Sequence, residues 1–298
     1  MPRHPKRYLG GAGGGPSKAG AAHAHFRGAG YGSVVAQNEA AAPTSAEAVT
    51  LLCYSPDPSR LNAIAAQNHA SYVAAEPFPH VCIDGLFPDE LLNRIVEEIP
   101  DASHHSWTVY GSGNRDLDEG IGTKRSISDE TCFGPTTRNF MLQLNSATFI
   151  KFLEALTGVE GLVADPTYRG GGIHRTGRHG SLLVHSDADR HPMANPFNQS
   201  INVIIFLNAD WQDSYHGALE LWSRDGVKCA HRIAPLFNRT LIFESSEDTY
   251  HGYPQRLECP IDRFRDSLAL YYYEVNRKPS GHYAGRREEV YWLHKTPP

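Results

Sequence analysis

The chain has 298 residues, 40% of them hydrophobic and 20% charged, with a formal net charge of -5. That length and apolar content suffice for one large domain with extensions and a full buried core. The acidic balance argues against a nucleic-acid scaffold, which carries a basic surface, and no apolar run reaches the length of a membrane span.

Residues 1–47 are rich in Gly, Ala, Ser and His, and no acidic residue precedes Glu39. Such a segment cannot offset its ordering entropy by burial and is expected to be a flexible tail. It has basic residues but no apolar stretch of the secretory kind. A single domain is expected over 48–280, its strand-rich core at about 165–275, with 281–298 as a C-terminal extension. The first helix begins near Asp57 or Ser59, either of which can cap it, and presents Leu61, Ile64, Ala65 and residues 70–73. Phe78–Asp84 reads as a short strand. Pro88-Asp89-Glu90 opens a second helix through Ile99, with Leu91, Leu92 and Ile95 at helical spacing. Residues 101–127 are polar and glycine-containing and read as a long loop. Thr136–Leu156 reads as one or two helices with Phe140, Leu144, Phe149, Phe152, Leu153 and Leu156 inward.

After Asp165 the hydrophobic period moves toward two. Strands are expected at Thr167–His174, Leu182–His185, Ser200–Leu207, Ala218–Trp222, Arg232–Ile233, Thr240–Phe243, Gln255–Leu257 and Ser267–Tyr273. Helices followed by many antiparallel strands indicate an α+β chain. Strands arranged around a small-molecule site suggest a jelly roll, two sheets packed as an open barrel. The cysteines Cys53, Cys82, Cys132, Cys229 and Cys259 are odd in number and scattered, and none forms a Cys-x-x-Cys pair. Neither a zinc ribbon nor a disulfide framework is expected, and a reducing, cytoplasmic setting is.

His185-Ser186-Asp187 follows the apolar Leu182-Leu183-Val184, and residues two apart on a strand point the same way, so His185 and Asp187 share a face. His251, in a His-x-x-Pro sequence, completes two histidines and a carboxylate, which can hold Fe(II) on one face and leave the other open to oxygen chemistry. His104, His105, His191 and His216 lie in polar turns or loops and are expected to be solvated; His174, ahead of the motif strand, is a candidate pocket wall. Arg265 enters an apolar strand, where a guanidinium is costly unless paired. A dicarboxylic co-substrate supplies a bidentate partner, with Ser267 on the same face as a further donor. Arg263 is a rival for that role.

With these residues in place the chain resembles the iron(II)- and 2-oxoglutarate-dependent oxygenases, in particular the prolyl-4-hydroxylase-like superfamily, over roughly residues 76–275. The resemblance rests on Leu182–Asp187, Ile201–Asn208, Gly217–Leu221, His251-Gly252-Tyr253-Pro254 and Arg265-Asp266-Ser267-Leu268, with Pro77–Leu92 similar to the family's N-terminal strand and helix. It implies a double-stranded β-helix (jelly-roll, cupin-like) core with N-terminal flanking helices. It implies iron binding by His185, Asp187 and His251, and binding of the 2-oxoglutarate C5 carboxylate by Arg265 and Ser267. The cofactors implied are Fe(II), 2-oxoglutarate and O2, with room for ascorbate. The reaction implied is hydroxylation of an unactivated C–H bond of a small or amino-acid-like molecule, with release of succinate and CO2. A carboxylate at 187, where a related subclass has Gly or Ala and binds chloride, favours hydroxylation over halogenation. A stretch of five residues, Leu257–Ile261, lengthens the gap between His251 and Arg265 beyond the family's usual spacing. Pocket walls are expected from 107–125, 188–199 and 209–216, with Arg115, Arg125, Arg190 and Trp211 as substrate contacts. The alternatives are a cupin-like metal enzyme that uses no keto acid, which leaves Arg265 without a partner, and a non-catalytic metal-binding module. Neither substrate identity nor oligomeric state is legible.

Overall fold

The computed structural model describes residues 54–110, 124–187, 197–275 and 291–292, so the tail at 1–47 lies outside the described residues. Four helices precede most of the strands. Helix α1 (Pro58–Val73) is capped by the Asp57 side chain, which accepts from the Ser59 amide at 2.9 Å, and Pro58 opens its first turn. Helix α2 (Asp89–Glu98) carries acids in its first turn and buries Leu91, Leu92 and Ile95. The region 136–156 forms two helices, α3 (Pro135–Leu144) and α4 (Ala147–Thr157). The break falls at Asn145-Ser146 because Ser146 caps α4, while Glu98 accepts from the Thr136 and Thr137 amides and so caps α3 from α2.

The strands are β1 (His80–Asp84), β2 (Thr108–Tyr110), β3 (Lys124–Ile127), β4 (Val163–Ala164), β5 (Gly172–Thr176), β6 (Leu182–Ser186), β7 (Phe197–Phe206), β8 (Leu219–Trp222), β9 (Cys229–Ile233), β10 (Arg239–Glu244), β11 (His251–Tyr253), β12 (Arg265–Val275) and β13 (Tyr291–Trp292). They form two sheets. The larger runs β1-β10-β7-β12-β5-β3-β2, with β4 also on β12; the smaller runs β13-β6-β11-β8-β9. Every ladder between these strands is antiparallel.

Three expectations are corrected. The loop at 101–127 contains β2 and β3, short strands at the end of the larger sheet, β3 held by pairing with β5 and β2 by pairing with β3 rather than by their own apolar alternation. The strand expected from Thr167 starts at Gly172, because Asp165 accepts from the Thr167 and Arg169 amides and makes a turn there. Residues 255–257 form no strand; His251–Tyr253 does, and it lies between β6 and β8. The stretch read as a C-terminal extension supplies β13, which pairs with β6.

The larger sheet has two unlike faces. Ile127, Ile173, Ile201, Val203, Ile205, Ile242, Leu268 and Leu270 pack against Leu61, Leu92, Ile95, Phe140, Phe149 and Phe152 of the helices. On the opposite face Phe206, Leu241 and Phe243 meet Leu219, Leu221, Ile233 and Tyr253 of the smaller sheet. The space between the sheets is therefore apolar at one end. Its other end receives the polar side chains described next. Among the described residues no helix is long and apolar enough to cross a membrane.

Candidate metal centre and anion pocket

His185 at the end of β6 and His251 at the start of β11 are direct cross-strand partners, with ring centroids 4.5 Å apart. This closeness requires Gly252: a Cβ there would stand 2.8 Å from the carbonyl oxygens of both Leu182 and Leu183. Asp187, one residue beyond β6, returns to the same side. Its Oδ1 is 3.5 Å from His185 Nε2 and its Oδ2 3.6 Å from His251 Nε2. The three side chains are buried, and one donor atom from each lies within 4.8 Å of the others, close enough to share one ion.

Hydrogen bonds behind the cluster aim these atoms inward. His185 Nδ1 is 2.8 Å from the Leu183 carbonyl, and His251 Nδ1 is 3.3 Å from the Thr249 carbonyl. A carbonyl oxygen can only accept, so each Nδ1 carries the hydrogen and each Nε2 presents a lone pair. Burial pushes His251 down to about 4, with His185 and Lys124 adding to the effect against Asp187, which keeps its imidazole neutral at pH 7. Asp187 behaves oppositely. Burial raises it, yet His251, His185 and a hydrogen bond from Asn202 together hold it below the ordinary carboxylate range. Asn202 Nδ2 donates to Asp187 Oδ2 at 2.6 Å, and Gln199 Nε2 reaches the same oxygen at 3.1 Å. Two imidazoles whose Nδ1 atoms are held by carbonyls, with an ionised carboxylate, form a donor set suited to a divalent transition metal with open positions.

Arg265 and Arg263 part ways. Arg263 donates to the Ala209 carbonyl and lies over the Tyr215 ring, away from the space between the sheets. Arg265 is 4% exposed and inward-facing. Its guanidinium lies 4.2 Å from the Tyr253 ring centroid and 5.1 Å from that of Phe206. Nε donates to the Gly217 carbonyl at 2.7 Å, while Nη2 is buried without a hydrogen-bond partner. A guanidinium so placed fits an incoming carboxylate. Gly217, at φ +76, makes room for it: a Cβ there would meet Arg265 Cδ at 3.1 Å and Leu257 Cδ2 at 2.5 Å. Ser267, two residues on, is buried on the same face between Phe206 and His174. The Tyr253 hydroxyl and Thr176 Oγ1, 2.9 Å apart, complete this wall. The donor cluster thus fits an iron ion, and the unpartnered Nη2 fits a co-substrate carboxylate.

The remaining candidates separate as follows. Trp211 is buried against Leu257 and Cys259 and donates to the His216 carbonyl. Arg125 pairs with Arg175 on the face of β3 opposite to Lys124. Both are corrected as pocket contacts. Arg115 and Arg190, with His191, lie outside the described residues. His104 and His105 are exposed and stack on each other at 4.4 Å. Sequence reasoning included Lys124 and Gln199 only as the ends of the expected wall segments 107–125 and 188–199, and missed Asn202. Asn202 carried a signal, being a lone amide within the apolar run Ile201–Phe206; Lys124 carried none, since it sits at the edge of a stretch with no strand period.

Residues 171–273 match the family described as the 2OG-Fe(II) oxygenase superfamily. No curated protein matches the chain by sequence. A prolyl hydroxylase from Trichoplax adhaerens, solved in complex with a hypoxia inducible factor oxygen degradation domain peptide fragment, is 11% identical. It aligns over 72% of this chain and 91% of its own with a TM-score of 0.50, a likeness of fold. A Pseudomonas putida prolyl-4-hydroxylase aligns over 71% of this chain and 99% of its own at 15% identity and a TM-score of 0.44. HygX from Streptomyces hygroscopicus, solved with nickel, 2-oxoglutarate and hygromycin B, aligns over 76% and 96% at 12% identity and a TM-score of 0.47.

Proposed function

We propose that this chain, a 2-oxoglutarate- and Fe(II)-dependent dioxygenase of the 2OG-Fe(II) oxygenase superfamily by the match of residues 171–273, hydroxylates an unactivated C–H bond of a small or amino-acid-like molecule. Succinate and CO2 are the co-products. His185, Asp187 and His251 hold the iron; Arg265 receives the distal carboxylate of 2-oxoglutarate, and Ser267 donates to it. The two sheets serve as a double-stranded β-helix that brings β6, β11 and β12 to one interior.

The observation that carries the reading is the buried Arg265 on the larger sheet, whose Nη2 lacks a hydrogen-bond partner, together with the three converging donors at β6 and β11 of the smaller sheet. A buried guanidinium nitrogen left unmet is unfavourable, and a carboxylate relieves it. Bound together, Fe(II), 2-oxoglutarate and O2 supply the oxidising power that side chains lack. The chain's own part is to orient. The Leu183 and Thr249 carbonyls keep the hydrogens on Nδ1, Asn202 and Gln199 hold Asp187 ionised and aimed, and Tyr253 and Phe206 sandwich Arg265 so that its charge is fixed in a dry wall. An ionised Asp187 occupies the position a halide needs, which favours hydroxyl transfer. The reduced thiols Cys82, Cys132, Cys229 and Cys259 suit a cytoplasmic setting.

The test is a screen of small-molecule candidates for succinate release by the Fe(II)-loaded protein, with ascorbate present, beside equilibrium binding of 2-oxoglutarate to the metal-loaded protein without oxygen. Binding that needs both metal and Arg265, with substrate-stimulated succinate release, is the expected result. A metal-loaded protein indifferent to 2-oxoglutarate overturns the reading in favour of a cupin-like enzyme without a keto acid or of a metal-binding module.

A further inference from the structure

Leu257–Ile261 lies between β11 and β12, and connections between strands ordinarily run over the surface. Here Leu257 and Cys259 are fully buried, in a small core with Trp211 against which Tyr215 and Leu236 pack. Trp211 and Tyr215 belong to the connection between β7 and β8, and Leu236 to that between β9 and β10. The backbone is held on two sides. The Leu257 amide donates to the Gly180 carbonyl at 3.0 Å and the His179 amide to the Leu257 carbonyl at 2.7 Å, which ties the stretch to the connection between β5 and β6. The Glu258 amide donates to the Tyr215 carbonyl at 3.1 Å. Four connections therefore meet where β5, β7, β9 and β11 finish and β6, β8, β10 and β12 begin. Arg265, the first residue of β12, stands at this end of the strands; His185, near the end of β6, and His251, the first residue of β11, stand at the other.

Leu257 joins this small core to the arginine. A Cβ on Gly217 would stand 2.5 Å from Leu257 Cδ2, 3.1 Å from Arg265 Cδ and 3.5 Å from Arg265 Nε. The leucine methyl and the arginine stem therefore flank one spot beside Gly217. The stem is held as well by the hydrogen bond from Nε to the Gly217 carbonyl, and the guanidinium by the rings of Tyr253 and Phe206. Side chains packed at this density leave a buried stem no room to shift unless a neighbour is cut back.

We propose that Leu257 is a positioning and specificity-determining residue for the co-substrate: it closes the barrel behind Arg265, so that the guanidinium cannot withdraw and the pocket takes a 2-oxo diacid of one length. The inference rests on the reading that Arg265 receives the distal carboxylate of 2-oxoglutarate. A diacid held at its keto end by the metal and at its far end by a planar fork is measured between two fixed points. One more methylene must displace the guanidinium or forfeit a contact. A single methylene in a closed pocket is worth about 10–200-fold.

The experiment uses full-length protein loaded with Fe(II), without oxygen, and reads binding by calorimetry. 2-Oxoglutarate is titrated beside 2-oxoadipate, its homologue with one more methylene. The wild type should prefer 2-oxoglutarate by about tenfold or more. Leu257→Ala should reduce that preference by about tenfold, chiefly by admitting 2-oxoadipate, with iron stoichiometry unchanged. Leu257→Val should do the same in smaller measure and takes the place of the alanine variant where that does not fold. Leu257→Met, which keeps the bulk, should retain the wild-type preference. Cys259→Ala opens the same small core at a different residue and should also leave the preference as it is. Equal binding of the two acids to the wild type overturns the inference. A preference that survives both Leu257→Ala and Leu257→Val overturns it too, as does one lost equally in Cys259→Ala, which would make Leu257 merely part of a stable core. A loaded wild type that binds neither acid overturns the iron and 2-oxoglutarate reading itself, and this inference with it.

Discussion

Asp187 stays ionised although burial opposes it, because two imidazoles and two amides converge on its oxygens. Asp187→Ala removes one donor of three, so iron binding should weaken and substrate hydroxylation should cease. Iron stoichiometry and product formation check this, and undiminished hydroxylation would remove Asp187 from the mechanism. For Arg265 the conservative change is the sharper probe. Arg265→Lys retains charge but loses the planar fork, so the 2-oxoglutarate concentration for half saturation should rise; Arg265→Ala should raise it further, by about tenfold or more. Arg263→Ala, which loses the contacts to the Ala209 carbonyl and the Tyr215 ring, should leave it unchanged. The reverse order, read from saturation curves, would transfer the role to Arg263. Lys124 makes a prediction about stability. Its folded value of about 8 lies below the ordinary 10.5, so between those values the unfolded chain binds more protons. Stability of the metal-free protein should then rise with pH across that window, relative to Lys124→Met, in which the contribution is absent. Denaturant melts at several pH values check the sign.

At the scale of elements, the cluster of His185, Asp187 and His251 depends on how closely β11 approaches β6. Gly252 permits that approach, and its replacement by Ala would push a methyl group against two carbonyl oxygens of β6. Gly252→Ala is expected to separate His251 from His185 and reduce iron stoichiometry, at a stability cost of about 1–3 kcal/mol. Metal analysis paired with a thermal melt distinguishes a lost site from a lost fold. The helices α1 to α4 were readable from caps, first-turn acids and the spacing of Leu91, Leu92, Ile95, Phe149 and Phe152, since these are local signals. Strands β2, β3 and β11 were not. They are three or four residues long; β3 and β11 depend on β5, β6 and β8, which lie far away in sequence, and β2 depends on β3, so pairing rather than propensity makes them strands.

At the scale of the whole molecule, the described residues all belong to one compact unit, Pro43–Pro298. The segment to residue 47 lacks apolar periodicity and carries none of the candidate site residues. A chain beginning at Ala48 should keep its melting temperature and its turnover; a truncated protein that folds but loses turnover would show that the segment contributes to the pocket.

The sequence by itself determined which residue types stand in the candidate site: a His-x-Asp on an apolar strand, a distal histidine before Pro254 and an arginine entering an aromatic strand are short patterns readable without the fold. Tertiary structure decided what those patterns meet. It placed Arg265 inward at the start of β12 and left Arg263 ahead of that strand on the Ala209 carbonyl, set Asn202 and Gln199 behind Asp187, and turned Lys124 inward while turning Arg125 toward Arg175. The reason is physical. Which way a residue on the short strand β3 points depends on register with β5, about fifty residues away, and that register is set by packing two sheets and four helices at once.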